Sequence, residues 1–305
     1  MKTALAASLA LFLMGGPALA QSADLPKAIY TDPPRDAAHP AHMEAIRIAS
    51  HGEFMNVVVY HPAGSGPHPA ILLIHGLPGN EQNLDLAQAL RRAGWTVFSY
   101  HYRGSWGSEG RFTIEGTKDD ADAMLAAMRD PKNAAAWNID PKRLVVIGHS
   151  LGGYAAGHAG AANSDVMATV LLAPWDPSLD AAMFGPLTPA ARDALSERAF
   201  DDVEGRLAGT DAHALAADIA AHGAAYRLAD DAAGLATRPL LVITAARDNQ
   251  SCKAPNLKPA LAALKDDKVD YAEFQADHGF NEARIGLETR VLLWLAKLPG
   301  APPLN

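Results

Sequence analysis

Residues 143–152 read Arg-Leu-Val-Val-Ile-Gly-His-Ser-Leu-Gly, and this stretch decides the fold. Its apolar beginning predicts a buried strand, and the residues after Ser150 predict a helix. Gly148 and Gly152 lack Cβ atoms, so the strand and the helix can approach closely around Ser150. Five such residues alone would indicate only a tight turn. Between a strand and a helix, the pattern Gly-x-Ser-x-Gly predicts a nucleophilic serine.

Strands and helices alternate on both sides of this turn. Short apolar runs are typical of strands buried on both faces, and a helix is predicted after most of them. Alternating elements of this kind predict a mostly parallel sheet with helices on both faces. Two leading strands should extend the sheet, partly antiparallel. The predicted strands span residues 43–48, 54–60, 70–74, 95–100, 143–148, 166–172, 239–245 and 269–274.

Residues 176–236 interrupt the alternation. The segment is rich in Ala and Asp, has helical spacing and contains no predicted strand, which indicates an inserted helical cap. It holds eleven acidic residues and four arginines, a net charge of −7. A cap over Ser150 would then place a negative field at the cleft and favour neutral or cationic acyl substrates. Alternatively, these acids form only the solvated faces of helices.

Two backbone N–H groups are candidates for stabilising an oxyanion, as acyl transfer requires. Leu151, directly after the serine, can supply one. Leu77 can supply the other, because it lies in the Gly-rich loop His75-Gly-Leu-Pro-Gly79 at the end of a neighbouring strand. Pro78 has no N–H to donate. His75 precedes the serine and begins a loop, so it is interpreted as structural rather than as a catalytic base.

Four motifs together resemble the α/β-hydrolase superfamily. The resemblance covers residues 43–298, and it implies that a catalytic acid and then a histidine follow the serine along the chain. The motifs are His75-Gly-x-x-Gly79, Tyr102-Arg-Gly-Ser-Trp-Gly-Ser-Glu-Gly110, Gly148-His-Ser-Leu-Gly-Gly153 and Asp277-His-Gly-Phe280.

The implied acid and histidine both have candidates at the expected places. Asp248 follows the strand predicted at 239–245, and His278 lies on a loop before the last predicted helix. Asp277 is the rival acid, but a neighbour in sequence cannot easily reach the imidazole Nδ1. In these roles Ser150 attacks an acyl carbonyl and His278 takes its proton. Asp248 orients the imidazole and stabilises its charged form.

Residues 102–110 are Gly-rich, but their spacing fits no phosphate-binding loop. They are interpreted as a wall of the substrate cleft, in which Tyr102, Trp106 and Phe112 form an apolar pocket or serve only for packing. The twelve histidines show no spacing typical of metal ligands. We therefore predict neither a metal nor another cofactor.

The first twenty residues predict a signal peptide. Lys2 provides a positive start, residues 4–14 are apolar, and Ala18-Leu-Ala20 is a cleavage site. The stretch is short for the alternative, an uncleaved anchor. We expect export to the periplasm or the medium after cleavage near Ala20. Residues 21–42 are predicted to be a linker, and residues 43–300 a single hydrolase domain with the cap inserted. With Cys252 alone, no internal disulfide can form.

Charge and composition narrow the function classes. A net charge of −8 does not fit a nucleic-acid-binding footprint, and no apolar run beyond the N-terminus could span a membrane. We predict a serine hydrolase that cleaves esters or peptide-like small molecules. A peptidase is the alternative, because residues 54–110 also resemble the catalytic domain of the prolyl oligopeptidase group, here without its propeller. A non-catalytic binding protein would not need all three triad residues.

Overall fold

Eight strands form one sheet in the computed structural model, which describes residues 25–265 and 267–304. The predicted signal peptide lies outside these residues. In chain order the strands are β1 (His42–Ser50), β2 (Glu53–His61), β3 (His68–Ile74), β4 (Thr96–Tyr100), β5 (Ile139–His149), β6 (Val166–Leu172), β7 (Leu240–Ala245) and β8 (Val269–Phe274).

The strand order across the sheet is β1-β2-β4-β3-β5-β6-β7-β8. β1 pairs antiparallel with β2, and β2 pairs antiparallel with β4. All the other pairs are parallel. The predicted mostly parallel sheet with an antiparallel leading edge is therefore confirmed. Its central strands are buried, as their continuous apolar runs require.

Helices connect the parallel strands. An unpredicted one, α3, begins at Pro131, where Asp130 accepts hydrogen bonds from the backbone N–H groups of Lys132 and Asn133. The helices are α1 (Leu84–Arg92), α2 (Gly116–Arg129), α3 (Pro131–Ala136), α4 (Leu151–Ala162), α5 (Pro177–Phe184), α6 (Pro189–Ala199), α7 (Ala212–His222), α8 (Ala232–Leu235), α9 (Leu257–Leu264) and α10 (Arg284–Leu295).

The cap, residues 176–236, lies between β6 and β7 and contains α5 to α8. Backbone hydrogen bonds join it to the loop that follows β4. The Trp106 N–H donates to the Arg206 carbonyl at 3.2 Å, and the Ala208 N–H donates to the Gly104 carbonyl at 2.7 Å. The Phe112 N–H in turn donates to the Ala208 carbonyl. The cap is thus held by main-chain bonds as well as by its two connections to the sheet.

The described part of the predicted linker is not free of the domain. Residues 27–29 form a short 3-10 turn in which Ala28 and Ile29 are buried. The Arg92 guanidinium donates to the Ile29 carbonyl at 2.9 Å. Apolar burial and hydrogen bonding therefore attach this segment to α1. Within the described ranges, no helix has both the length and the apolar character needed to cross a bilayer.

Candidate active site

Ser150 lies on a sharp turn between β5 and α4. Its φ of 57° and ψ of −121° fall in a region that residues with a side chain rarely adopt. A Cβ atom on Gly148 would lie 1.9 Å from the Gly152 carbonyl oxygen, and one on Gly152 would lie 2.1 Å from that of Ile74. Glycine is therefore required at both positions. Strain of this kind is common at functional sites.

Gly148→Ala should lower the free energy of unfolding by about 3 kcal/mol, because the new methyl group meets backbone atoms that cannot move aside. The measurement is urea unfolding of the full chain. Gly205→Ala is the matched control, since a Cβ there meets no atom within 4 Å and only the φ of 71° opposes it. That control should cost about 1 kcal/mol. Equal losses would contradict the steric argument.

Asp248 and His278 are joined by a hydrogen bond of 2.7 Å between Oδ2 and Nδ1. A carboxylate only accepts, so Nδ1 carries the proton and Nε2 remains available to accept one. The Asp248 side chain is 1% exposed, and its Oδ1 accepts from the Asn249 N–H at 2.7 Å. The late acid and the late histidine predicted from the sequence are thus brought together.

The rival acid, Asp277, is directed elsewhere. Its two carboxylate oxygens accept from the backbone N–H and the side-chain amide of Asn281, both at 2.8 Å. These hydrogen bonds also lower the pKa of the Asp277 carboxyl below its ordinary value. Asp277 therefore stabilises the turn before α10 and does not contact the imidazole.

Ser150 and His278 line the same cavity, which has a volume of about 830 Å³. Among the described residues, no hydrogen bond joins the Ser150 hydroxyl to the imidazole. Such bonds often become short only when a substrate is bound. Ser150 is only 8% exposed, so it is reached through the cavity rather than from open solvent. The two residues can act on one bound molecule.

His149 supports the loop that carries His278. Its Nε2 donates to the His278 carbonyl at 2.9 Å, and the two imidazole rings lie 4.7 Å apart. Burial, assisted by the nearby His278, lowers the pKa of His149 to about 3. Arg284 holds the same loop from the other side, donating to the Gly279 carbonyl at 3.0 Å and pairing with Asp85.

Glu288, on α10, should make the stability of the protein depend on pH. Burial and the neighbouring Asp85 raise its pKa from 4.5 to about 7. The folded protein then holds a proton that the unfolded chain releases, so the free energy of unfolding falls as pH rises across that interval. Glu288→Gln keeps the group neutral and should stabilise the protein by about 1–3 kcal/mol at pH 8. Denaturant unfolding at pH 8 and pH 5 measures this, and an equal gain at both would contradict it.

The two predicted oxyanion donors lie on either side of Ser150. Leu151 is the first residue of α4, and Leu77 lines the cavity. The loop that carries Leu77 is close, since a Cβ on Gly76 would lie 2.9 Å from the Ser150 Cβ. Neither N–H donates to another group in residues 25–265 and 267–304. Both can therefore donate to an oxygen bound at Ser150, next to the positive end of α4.

Tyr102 and Trp106 do not line this cavity, contrary to the pocket wall predicted from the sequence. The Tyr102 hydroxyl donates to the His75 carbonyl at 2.7 Å, and the Trp106 Nε1 donates to the Pro78 carbonyl at 2.6 Å. Phe112 is 2% exposed and packs against Tyr102. These aromatic residues therefore hold the Leu77 loop in place, which is the packing alternative.

His75 is part of the same support. It is fully buried, its Nδ1 donates to the Gly76 carbonyl at 2.7 Å, and its Nε2 lies 3.2 Å from the His101 Nδ1. Burial lowers the pKa of His75 to about 4, so the ring is neutral at ordinary pH. Its hydrogen bonds fit the structural role predicted from the sequence.

The cap and the segment before it supply most of the cavity wall. The individual lining residues were not identified from the sequence. Leu179, Met183 and Phe184 lie on α5 at helical spacing, a pattern that could have predicted one apolar face. Trp175 precedes α5, and Phe200 follows α6. The lining residues from this region are Trp175, Leu179, Asp180, Met183, Phe184, Leu195, Arg198, Ala199, Phe200 and Asp202.

One group of metal-ligand residue types lies at the site. Donor atoms of Asp248, Cys252 and His278 all lie within 4.8 Å of one another. The Asp248 and His278 atoms already bond to each other, and burial raises the pKa of the Cys252 thiol. A neutral thiol is a poor metal ligand. The absence of a metal therefore stays a prediction from the sequence.

The model of the alpha/beta hydrolase family matches residues 71–285, which is more than half of the chain. The chain belongs to this family and is a hydrolase of that fold, as the motifs predicted. No curated protein sequence matches it significantly.

Solved structures share the fold at low sequence identity. An esterase from Pyrococcus furiosus has a TM-score of 0.65 at 16% identity, over 88% of this chain and 98% of its own. An enol-lactonase from Burkholderia xenovorans LB400 has 0.58 at 20% identity, over 83% and 100%. An acylaminoacyl peptidase from Pyrococcus horikoshii has 0.60 at 16% identity, over 85% and 42%. At these identities the likeness shows the fold alone.

Proposed function

We propose that the chain is a serine hydrolase that cleaves a carboxylic ester through an acyl-enzyme intermediate. The observation that carries the proposal is the 2.7 Å bond between Asp248 and the His278 Nδ1, which directs Nε2 to accept a proton in the cavity that contains Ser150. A neutral imidazole in this tautomer is the base that a serine nucleophile needs.

In the proposed reaction, His278 Nε2 takes the Ser150 proton as the hydroxyl oxygen attacks the acyl carbonyl. The oxyanion that forms accepts hydrogen bonds from the Leu77 and Leu151 N–H groups. His278 then protonates the leaving alcohol, and the acyl group stays on Ser150. A water molecule, deprotonated by His278, attacks this ester and releases the acid. Asp248 holds the imidazole orientation in both halves.

Rates on matched substrates test the proposal. We expect the full chain to hydrolyse nitrophenyl esters, tested with short and long acyl chains, with a higher kcat/KM than aminoacyl nitroanilides. The wall that covers Ser150 is mainly apolar, as the acyl chain of an ester requires. Faster cleavage of the anilides would instead support the peptidase alternative. Turnover of neither class would contradict the proposal.

A further inference from the structure

The wall of the cavity contains a carboxylate that has no cationic partner. Asp180, on α5, lines the cavity together with Ser150. The Trp175 Nε1 donates to its Oδ2 at 2.5 Å, and the Ser251 hydroxyl lies close to the same carboxylate. Both neighbours are neutral donors. Within the part of the chain that the structure describes, no Lys, Arg or His forms an ion pair with Asp180.

A second carboxylate increases the negative charge. Asp176, 1% exposed, accepts from the Ser178 N–H at 3.2 Å and from the Asn256 amide at 3.3 Å, again neutral donors. Burial, with the added repulsion from Asp176, raises the pKa of Asp180. Asp176 is buried and Asp180 is half-buried, and a carboxylate removed from water is stabilised by a nearby cation. Asp180 lies in the first turn of α5, where the helix dipole stabilises a negative charge. That position does not explain why the carboxylate lines the cavity without a cationic partner.

Aromatic rings line the cavity beside this carboxylate. The Trp175 and Phe200 ring centroids lie 6.5 Å apart with an interplanar angle of 63°, and Phe184 stacks on Phe200 at 6.0 Å. All three residues contribute to the cavity wall. The faces of aromatic rings attract cations, and aromatic rings with a carboxylate are typical of sites that bind substituted ammonium groups.

The other charged groups of the cavity do not neutralise Asp180. Arg198 is the one Lys or Arg that lines the cavity, and it is exposed and forms no ion pair with any described acid. Asp202 also lines the cavity and accepts from the Asn80 amide at 2.9 Å. An exposed arginine stays hydrated. Arg198 therefore acts neither as the cationic partner of Asp180 nor as a strong binding group for an anionic substrate.

We propose that Asp180, Trp175, Phe184 and Phe200 form a subsite for a substituted ammonium group, so that the preferred substrates are esters that carry a cationic nitrogen. The proposal rests on the proposed ester hydrolysis and names its substrate class. It is narrower than the preference predicted from the acidic cap, which was for neutral or cationic substrates.

Isosteric ester pairs test the subsite. Butyrylcholine and its carbon isostere, in which a tert-butyl group replaces the trimethylammonium group, differ in charge but hardly in shape. The methyl ester of trimethylammoniobutyric acid and its carbon isostere place the same difference on the acyl side. For at least one pair, we expect kcat/KM of the full chain to be about tenfold higher for the cation.

Asp180→Asn should reduce that ratio to about one, because the amide oxygen still accepts from Trp175 while the charge is lost. Asp202→Asn removes an equal charge from the same cavity and should keep the ratio. A wild-type ratio near one for both pairs, an unchanged ratio in Asp180→Asn, or an equal reduction in Asp202→Asn would overturn the subsite.

Binding separates this proposal from the proposed function. Ser150→Ala cannot turn over an ester by the proposed route, so calorimetry can measure the Kd of each ester of a pair. Tighter binding of the cation supports the subsite even if the wild type hydrolyses no ester, a result that would refute only the proposed function. Equal Kd values within both pairs would overturn the subsite even if the wild type is an active esterase.

Discussion

Ser150→Ala is expected to reduce kcat for ester hydrolysis by about 10⁶-fold, because the hydroxyl that forms the acyl-enzyme is removed. The fold should remain, since alanine fills less space than serine at a turn that already has this backbone conformation. Initial rates on a nitrophenyl ester measure the loss, and thermal unfolding shows whether the variant is folded.

Covalent labelling provides the control for this prediction. A serine-directed fluorophosphonate should label the wild type at Ser150 and should not label Ser150→Ala. Ser164→Ala, which changes an exposed serine in the turn after α4, should label as the wild type does. Labelling that persists in Ser150→Ala would identify a different nucleophile.

Asp248→Asn should lower kcat by about 10⁴-fold, because an amide at this position can donate to Nδ1 and favour the wrong tautomer of His278. The comparison is Asp277→Asn, one residue before the histidine. The Asp277 carboxylate accepts from Asn281, so its loss should affect the stability of the turn more than the rate. If Asp277→Asn caused the greater loss of kcat, the acid would be Asp277.

The strands were predictable where continuous apolar runs are buried by helices on both faces. β6 and β8 have the predicted bounds, but the last helix, predicted over residues 281–298, begins at Arg284. The reason is local. Asp277 and Asn281 close a turn, and Phe280 adopts a positive φ of 56°, which helical spacing does not reveal.

The positions of Ser150, Asp248 and His278 could be predicted because each follows a strand whose end the sequence marks. Side-chain direction in an irregular loop could not. Trp106 adopts a positive φ of 48°, and Gly104 one of 68°. In this irregular loop the Tyr102 and Trp106 side chains bond to the chain around Leu77. Gly-rich composition indicates that such angles are available, but not which residues adopt them.

The ammonium subsite was the least predictable part of the site from sequence alone. Trp175, Phe184 and Phe200 come from three separate segments in and just before the cap. They meet only because α5 and α6 pack over the carboxyl end of the sheet. The sequence indicates helices and an excess of acids in this region, but tertiary packing decides which acid lies inside the cavity.

The loop between Tyr102 and Phe112 is attached in two different ways. Its side chains donate hydrogen bonds to the loop that carries Leu77. Its main chain bonds to residues 206–208 of the cap. Main-chain bonds do not depend on which side chains the cap carries. The cap side chains that line the cavity can therefore change while the main-chain attachment of the cap stays the same. The same loop bonds to the residues around Leu77, so a shift of the cap would also move this predicted oxyanion donor, and a change in selectivity would be accompanied by a change in rate.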